Sequence, residues 1–211
     1  MRDAFLHLLS TPAVLREQER AYGRSRRPPP PGPVQPLGPE ERMFIGARDS
    51  FYLATVSDDG WPYVQHRGGP PGFLHVLDER HLAFGDYSGN RQLLSTAHVR
   101  TTQRVALFLM DYVARERLKL IGHAQILEGD AAEHLRGSLL PPRRGRIERV
   151  FQIEVIGFDW NCPQYITPRY PLEQVEAMVR PLRERITALE HERDQLRRLA
   201  EAHPSPDPTS S

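Results

Sequence analysis

The chain has 211 residues, 39% hydrophobic and 26% charged, with a formal net charge of +1 at pH 7. That near-neutral balance argues against a general polyanion binder, and the single Cys162 excludes an intramolecular disulfide framework. No apolar run reaches the roughly 20 residues of a membrane span, and the short apolar N-terminus, broken by Arg2, Asp3 and His7, lacks a cleavage pattern, so the expected compartment is the cytoplasm.

In chain order, Thr11-Pro12 opens a short helix that Tyr22-Gly23 stops: a side-chain N-cap, proline at the first helical position and glycine beyond the end. Arg24 to Pro39 is too rich in proline for a ladder or a helix, and forms an extended arm that serves either as a linker or as a wrap around a partner subunit. A helix over Pro39–Arg48 is predicted to present Met43, Phe44 and Ala47 on one side. Strands follow. Phe51–Ser57 and Trp61–Arg67 flank Asp58-Asp59-Gly60, and Phe73–Leu77 and His81–Tyr87 flank Asp78-Glu79-Arg80, two hairpin signatures. Arg104–Tyr112 is apolar on both faces and reads as a central strand buried on both sides. Arg117–Leu127 and Arg149–Phe158 alternate, with Gly122 placed where a strand bends or admits another backbone. Helical pieces are expected from Asn90 to about Thr101 and from Asp130 to Leu140.

Six antiparallel strands with short peripheral helices point to a mainly β, α+β barrel, because closure removes exposed edges. From Leu172 to Ala200 the apolar period becomes helical, through Val175, Met178, Val179, Leu182, Ile186, Leu189, Leu196 and Leu199, with Pro181 near an early kink. This amphipathic helix either lies on its own barrel or pairs with a second copy. The resulting organisation is a helix and proline arm over 1–38, a barrel over 39–170, the C-terminal helix over 171–203 and a disordered tail over 204–211.

Four stretches offer chemistry. Ser88-Gly89-Asn90-Arg91-Gln92 opens a helix after a strand, where orphan amides and the positive dipole end attract phosphate and Arg91 adds a bidentate fork; the bland alternative is an ordinary capped turn. Gln65-His66-Arg67-Gly68-Gly69 puts amide, imidazole and guanidinium groups at a barrel lip, or simply on a solvated face. Arg117 and Lys119 share one strand face. Trp160-Asn161-Cys162-Pro163-Gln164 supplies an indole that either walls a flat ligand or plugs the core. The short clusters Arg24–Arg27 and Arg143–Arg149 lack interleaved aromatics, so nucleic-acid binding is not expected, and no metal-ligand spacing is present.

Together, the stretches from Gly60 to Pro70, Leu82 to Gln92, Arg104 to Asp111 and Trp160 to Ile166 resemble the pyridoxamine 5'-phosphate oxidase-like FMN-binding split-barrel family, over roughly Pro39 to Tyr170. The resemblance implies a six-stranded split barrel, a homodimer, and FMN held at the subunit interface. By matching positions it implies that Gln65, His66 and Arg67 run along the flavin, and that Gly85 and Asp86 contact flavin or phosphate. Asn90, Arg91 and Gln92 stand in for the family's Ser-Arg-Lys phosphate clamp, Arg117 replaces a flavin-contacting Gln, and Trp160 and Asn161 cap the site from the partner chain. The implied activity is an FMN-dependent oxidoreductase with a small-molecule substrate, NAD(P)H among the candidates. The alternatives are a flavin-binding or redox-sensing module without turnover, or a split barrel using haem or the deazaflavin F420. A charged helix replaces the vitamin B6 oxidase's C-terminal substrate segment, so B6 phosphate is not the expected substrate.

Overall fold

The structure, a computed structural model, describes residues 3–30, 36–89, 91–139, 146–160 and 164–202. The expected tail over 204–211 lies outside them, as does the middle of the proline arm. The chain forms two compact units, 1–167 and 168–211.

The first unit opens with two helices, α1 (Asp3–Leu9) and α2 (Pro12–Tyr22). The second behaves as read: Thr11 caps it, and Gly23 closes it at φ 66. α1 escaped the sequence reading. It is held by tertiary packing, with Phe5 buried over Gly157, where a Cβ would come within 3.0 Å of the Phe5 backbone.

α3 (Pro39–Gly46) buries Glu41, Phe44 and Ile45, while Met43 is 74% exposed, which corrects the predicted Met43–Ala47 face. The cause is Glu41. One of its oxygens accepts from the Gly38 amide at 2.9 Å and the other from Trp160 Nε1 at 2.8 Å, so the helix turns that side inward.

Seven antiparallel strands follow in the order β2-β1-β5-β6-β7-β4-β3. Six are long: β1 (Ser50–Val56), β2 (Pro62–Gly68), β4 (His81–Tyr87), β5 (Arg104–Asp111), β6 (Glu116–Leu127) and β7 (Ile147–Trp160). The seventh, β3 (His75–Val76), keeps only two residues of the expected Phe73–Leu77 strand. The sheet curls until Phe51 of β1 meets Phe84 of β4 at 5.3 Å, although three strands separate them in the sheet. This is a split barrel, its core filled by Phe51, Leu53, Phe84, Leu107, Leu120 and Phe151 among others. A helix α4 (Leu94–Thr102) joins β4 to β5, and α5 (Gly129–Arg136) joins β6 to β7.

β5 corrects another expectation. Val105, Leu107 and Leu109 point into the barrel, but Ala106, Phe108 and Met110 on the other face are only half-buried. The strand buried on both faces is β4 instead, because Ala132, Leu139 and Val150 cover Ala83 from outside.

Arg48, just past α3, donates to the Phe44 and Met110 carbonyls at 3.2 and 3.0 Å and pairs with Asp111 at 2.8 Å. Partial burial pushes the Asp111 carboxyl up, but the Ala114 amide and Arg48's hydrogen bond and charge outweigh it and hold it below its ordinary value. A depressed carboxyl adds stability that is present above its unfolded pKa of about 3.9 and is lost as pH falls through the folded value. Arg48→Ala should therefore cost about 2–3 kcal/mol in urea unfolding at pH 7, since a charged, half-buried hydrogen-bonding group is removed, and clearly less at pH 3. Equal losses at both pH values would show that the lost packing, not the ion pair, sets the cost.

The second unit carries α6 (Leu172–Ala202), with Pro181 inside it. No helix among the described residues is long and apolar enough to cross a membrane.

Candidate functional site

Strand alternation decides which β2 side chains face the barrel's open seam. Tyr63, Gln65 and Arg67 are half-buried, and Pro62, Val64, His66 and Gly68 are exposed, a strict period of two. The inward three line a cleft of about 150 Å³ with Asp86 and Tyr87 of β4, Arg149 of β7 and the start of α4.

Arg67 spans the seam. Its Nη1 donates to Asp86 Oδ1 at 2.7 Å, and its guanidinium lies 5.6 and 5.3 Å from the Phe84 and Phe151 ring centres, a cation over two π faces. Asp86 Oδ2 accepts from Arg149 Nη1, also at 2.7 Å. Arg149 further contacts Glu148 at 3.1 Å and Glu128 at 3.5 Å. These arginines are thus balanced by carboxylates, yet Arg67 Nε is buried with no hydrogen-bond partner among the described residues. A buried donor left over in a largely satisfied network points to a missing acceptor.

The loop from β4 to α4 is shaped by two non-glycine residues in the left-handed region, Arg91 (φ 61) and Leu93 (φ 58). Each costs about 1–2 kcal/mol, so the conformation persists only because the surroundings impose it. It also delays the helix, which starts at Leu94 and not near Asn90. Leu93 occupies the N-cap position without a side-chain cap, and Leu94, Ser95 and Thr96 of the first turn all line the cleft with Arg91 and Gln92. The Ser95 hydroxyl donates to Gln65 Oε1 at 3.0 Å, which leaves the Gln65 NH2 as the donor end of that carboxamide. Burial pushes the Tyr87 phenol up, so it stays neutral.

Of the residues singled out from sequence, the structure brings Gln65, Arg67, Asp86, Arg91 and Gln92 together. Asn90 and Asn161 lie outside the described residues. His66 sits on the opposite face of β2, its ring 5.7 Å from that of Tyr52. Gly85 serves packing: a Cβ there would come within 2.8 Å of the Ile147 side chain. Trp160 anchors α3 through Glu41 and an edge contact with Phe44 at 4.8 Å, so within one chain it plugs the core. Arg117 lies on the outer face of β6, 5.2 Å over Phe108, with its Nε buried and without a hydrogen-bond partner among the described residues. Lys119, its neighbour on that face, pairs with Asp159 at 2.5 Å.

Sequence reasoning missed Tyr63, Ser95 and Arg149. Tyr63 was legible, two residues from Gln65 on the same face. Arg149 reaches the site only because it pairs in register with Asp86 across β4 and β7, which no local pattern announces.

Residues 37–150 match the family model described as Pyridoxamine 5'-phosphate oxidase. Among solved structures, a putative pyridoxamine 5'-phosphate oxidase from Lactobacillus delbrueckii is 21% identical, with 59% of this chain and 93% of that chain covered and a TM-score of 0.46. HupZ from Group A Streptococcus is 16% identical, covering 64% of this chain and 99% of that one, with a TM-score of 0.46. An FMN-binding protein from Syntrophomonas wolfei is 12% identical, covering 57% and 83%, with a TM-score of 0.44. No curated protein matches the sequence.

Proposed function

Because this chain belongs to the pyridoxamine 5'-phosphate oxidase-like family, we propose that its cleft holds FMN and that the protein is an FMN-dependent oxidoreductase acting as a homodimer. The observation that carries the reading is the meeting of Arg91, the uncapped start of α4 and the carboxamide of Gln65 in one cleft. A helix start and an adjacent guanidinium suit a phosphate monoester, and a carboxamide suits the donor and acceptor edge of a flat heterocycle. The leftover Arg67 Nε donor fits the same ligand.

When bound, FMN would accept and return the electrons of the reaction. The chain's own residues position and enclose. Arg91 and the first turn of α4 bind the anionic end, Gln65 orients the ring, and Tyr63 and Tyr87 keep water from one side. Asp86 holds Arg67 and Arg149 in place, and the exposed Arg91 stands at the mouth.

The dimer rests on two features. A cleft of about 150 Å³ is smaller than the roughly 300–1,000 Å³ of ligand pockets, so a flavin needs a second wall. The outer face of β2-β1-β5-β6 also carries an apolar row beside a mixed one, half-buried to exposed. Register aligns Val64, Ala54, Ala106 and Ile121 in one row and His66, Tyr52, Phe108 and Lys119 in the next. Val64 is 60% exposed. A second copy seated there would cover these rows and bring His66 and Arg117 to the interface.

The test is titration of FMN and riboflavin against wild type and Arg91→Ala. A charge-assisted contact of about 1.5–3 kcal/mol predicts an FMN affinity about 10- to 150-fold weaker, with riboflavin, which lacks the phosphate, nearly unchanged. Equal loss for both ligands would place the phosphate elsewhere. A colourless preparation that takes up no added FMN would sink the reading, and bleaching of the bound flavin by NADPH would identify the electron donor.

A further inference from the structure

The last helix carries an inference independent of the cofactor. Apolar residues recur along α6 at alternating steps of three and four, the spacing of a coiled-coil seam. In heptad terms Val179 and Ile186 take a positions, and Val175, Leu182, Leu189 and Leu196 take the d positions. Arg193 is the one charged residue at a, and Met178 and Leu199 widen the stripe at g. The stripe is bare: Leu182 is 63% exposed, Ile186 56% and Leu196 60%. Helical propensity by itself stabilises little, so a helix spanning 31 residues with Pro181 inside it needs that stripe buried. Pro181 falls at c, on the side away from the seam, and does not block it.

The charges beside the stripe say what covers it. At e stand Glu176, Arg183, Glu190 and Arg197, and at g stand Arg185 and Glu192, so the sign alternates heptad by heptad on both flanks. A second copy of the same helix answers that alternation. In a parallel, in-register pair each g residue lies beside the e residue five positions further along the other chain. Arg185 then meets Glu190 and Glu192 meets Arg197, each twice by symmetry.

One antiparallel register would match these signs too, g against g and e against e, so the seam itself decides the direction. A parallel pair joins a to a and d to d, and β-branched residues at a with leucine at d favour two parallel strands. α6 is sorted in that way, with Val179 and Ile186 at a and leucine at three successive d positions. An antiparallel pair mixes a with d in every layer and has no use for the sorting. Its charge-matched register would also set Arg193 on Leu182 of the second copy, beside that chain's Arg183 and Arg185. In the parallel pair the hole that receives Arg193 is edged by Glu192 of the second copy, and the long stem lets the guanidinium reach out of the seam to it. Within one chain Arg193 pairs with its neighbour Asp194 at 2.8 Å, on the exposed surface.

We propose that α6 pairs with α6 of a second copy of this chain as a parallel, in-register, two-stranded coiled coil. Leu182, Ile186, Leu189 and Leu196 form the seam, and Arg185 is matched to Glu190 and Glu192 to Arg197 across it.

The experiment uses the full chain carrying Cys162→Ser, with a short bismaleimide as cross-linker. Leu182→Cys and Leu196→Cys, each alone, should give a covalent dimer as the main species, because no antiparallel register brings both positions to their own copies. A mixture of the two chains should give no dimer joining one to the other. Ile186→Asp added to either variant should remove most of the product. Arg185→Glu sets like charges beside Glu190 on both flanks and should slow cross-linking about tenfold. Arg185→Glu/Glu190→Arg should restore the rate, whereas Arg185→Glu/Glu192→Arg should not. Near-ultraviolet circular dichroism should match the parent throughout, since both tryptophans, Trp61 and Trp160, lie in the first unit. Failure of either single variant to cross-link overturns the proposal, and so does a dimer joining Leu182→Cys to Leu196→Cys, which means an antiparallel pair. Cross-linking that survives Ile186→Asp comes from two helices merely held near each other, and overturns it as well. Indifference to Arg185→Glu has the same force, because the flanking charges then meet no second copy.

Discussion

Gly122→Ala should lower stability by about 3 kcal/mol or more, a drop in melting temperature of roughly 6–12 °C for a domain of this size. A Cβ at Gly122 would overlap the Glu154 carbonyl oxygen, lie 3.1 Å from its carbon, and press Ile153 Cγ2 at 3.2 Å. The first obstacle is backbone, which has no rotamer to escape into. It is also backbone at the heart of the fold, because the β6–β7 register shifts between Ile121 and Gly122 and this is where the long strands bend round the barrel. Gly46 provides the control. It ends α3 exposed, and a Cβ there would meet nothing within 4 Å, so Gly46→Ala should be neutral or stabilise by about 0.5–1 kcal/mol. Thermal melts of the two variants side by side test the account. A Gly122→Ala protein as stable as wild type would mean that β7 moves aside at no cost.

The second large effect belongs to Asp86. Asp86→Asn keeps the side-chain shape and removes the charge that two guanidiniums share at 2.7 Å. The three side chains are only 9–14% exposed, so little water can replace it. Breaking a buried pair from one side leaves the other charge uncompensated, and the expected loss is about 2–4 kcal/mol. Arg149 keeps Glu148 and Glu128, whereas Arg67 loses its only ion-pair partner among the described residues. Arg67→Met/Asp86→Asn should therefore recover at least half of the loss, since methionine can pack against Phe84 and Phe151 where the guanidinium lay. Urea unfolding of the single and double variants gives the comparison. A double variant weaker than Asp86→Asn alone would mean that Arg67 stabilises through its contacts with the rings and not through its charge.

The sequence alone placed β1, β2, β4, β5 and β6 to within one residue at each end, and it marked the capped ends of α2. Each depends on neighbours within a few residues: the two-residue period of a strand, the amide a Thr oxygen can reach, the backbone freedom of a glycine. It also singled out Gly122 as a place of close backbone approach, though not which backbone. Only the tertiary structure decided that Arg67 is already matched by Asp86, and that Arg149 arrives beside them from 63 residues further along the chain. The same holds for the fate of β5's second apolar face, which is only half-buried within one chain, with Arg117 lying over Phe108. Apolar composition says that a face seeks cover, and charge says that a guanidinium seeks a partner. Which group provides either one is fixed by register and curvature across strands distant in sequence, and that information is carried by the packed sheet as a whole.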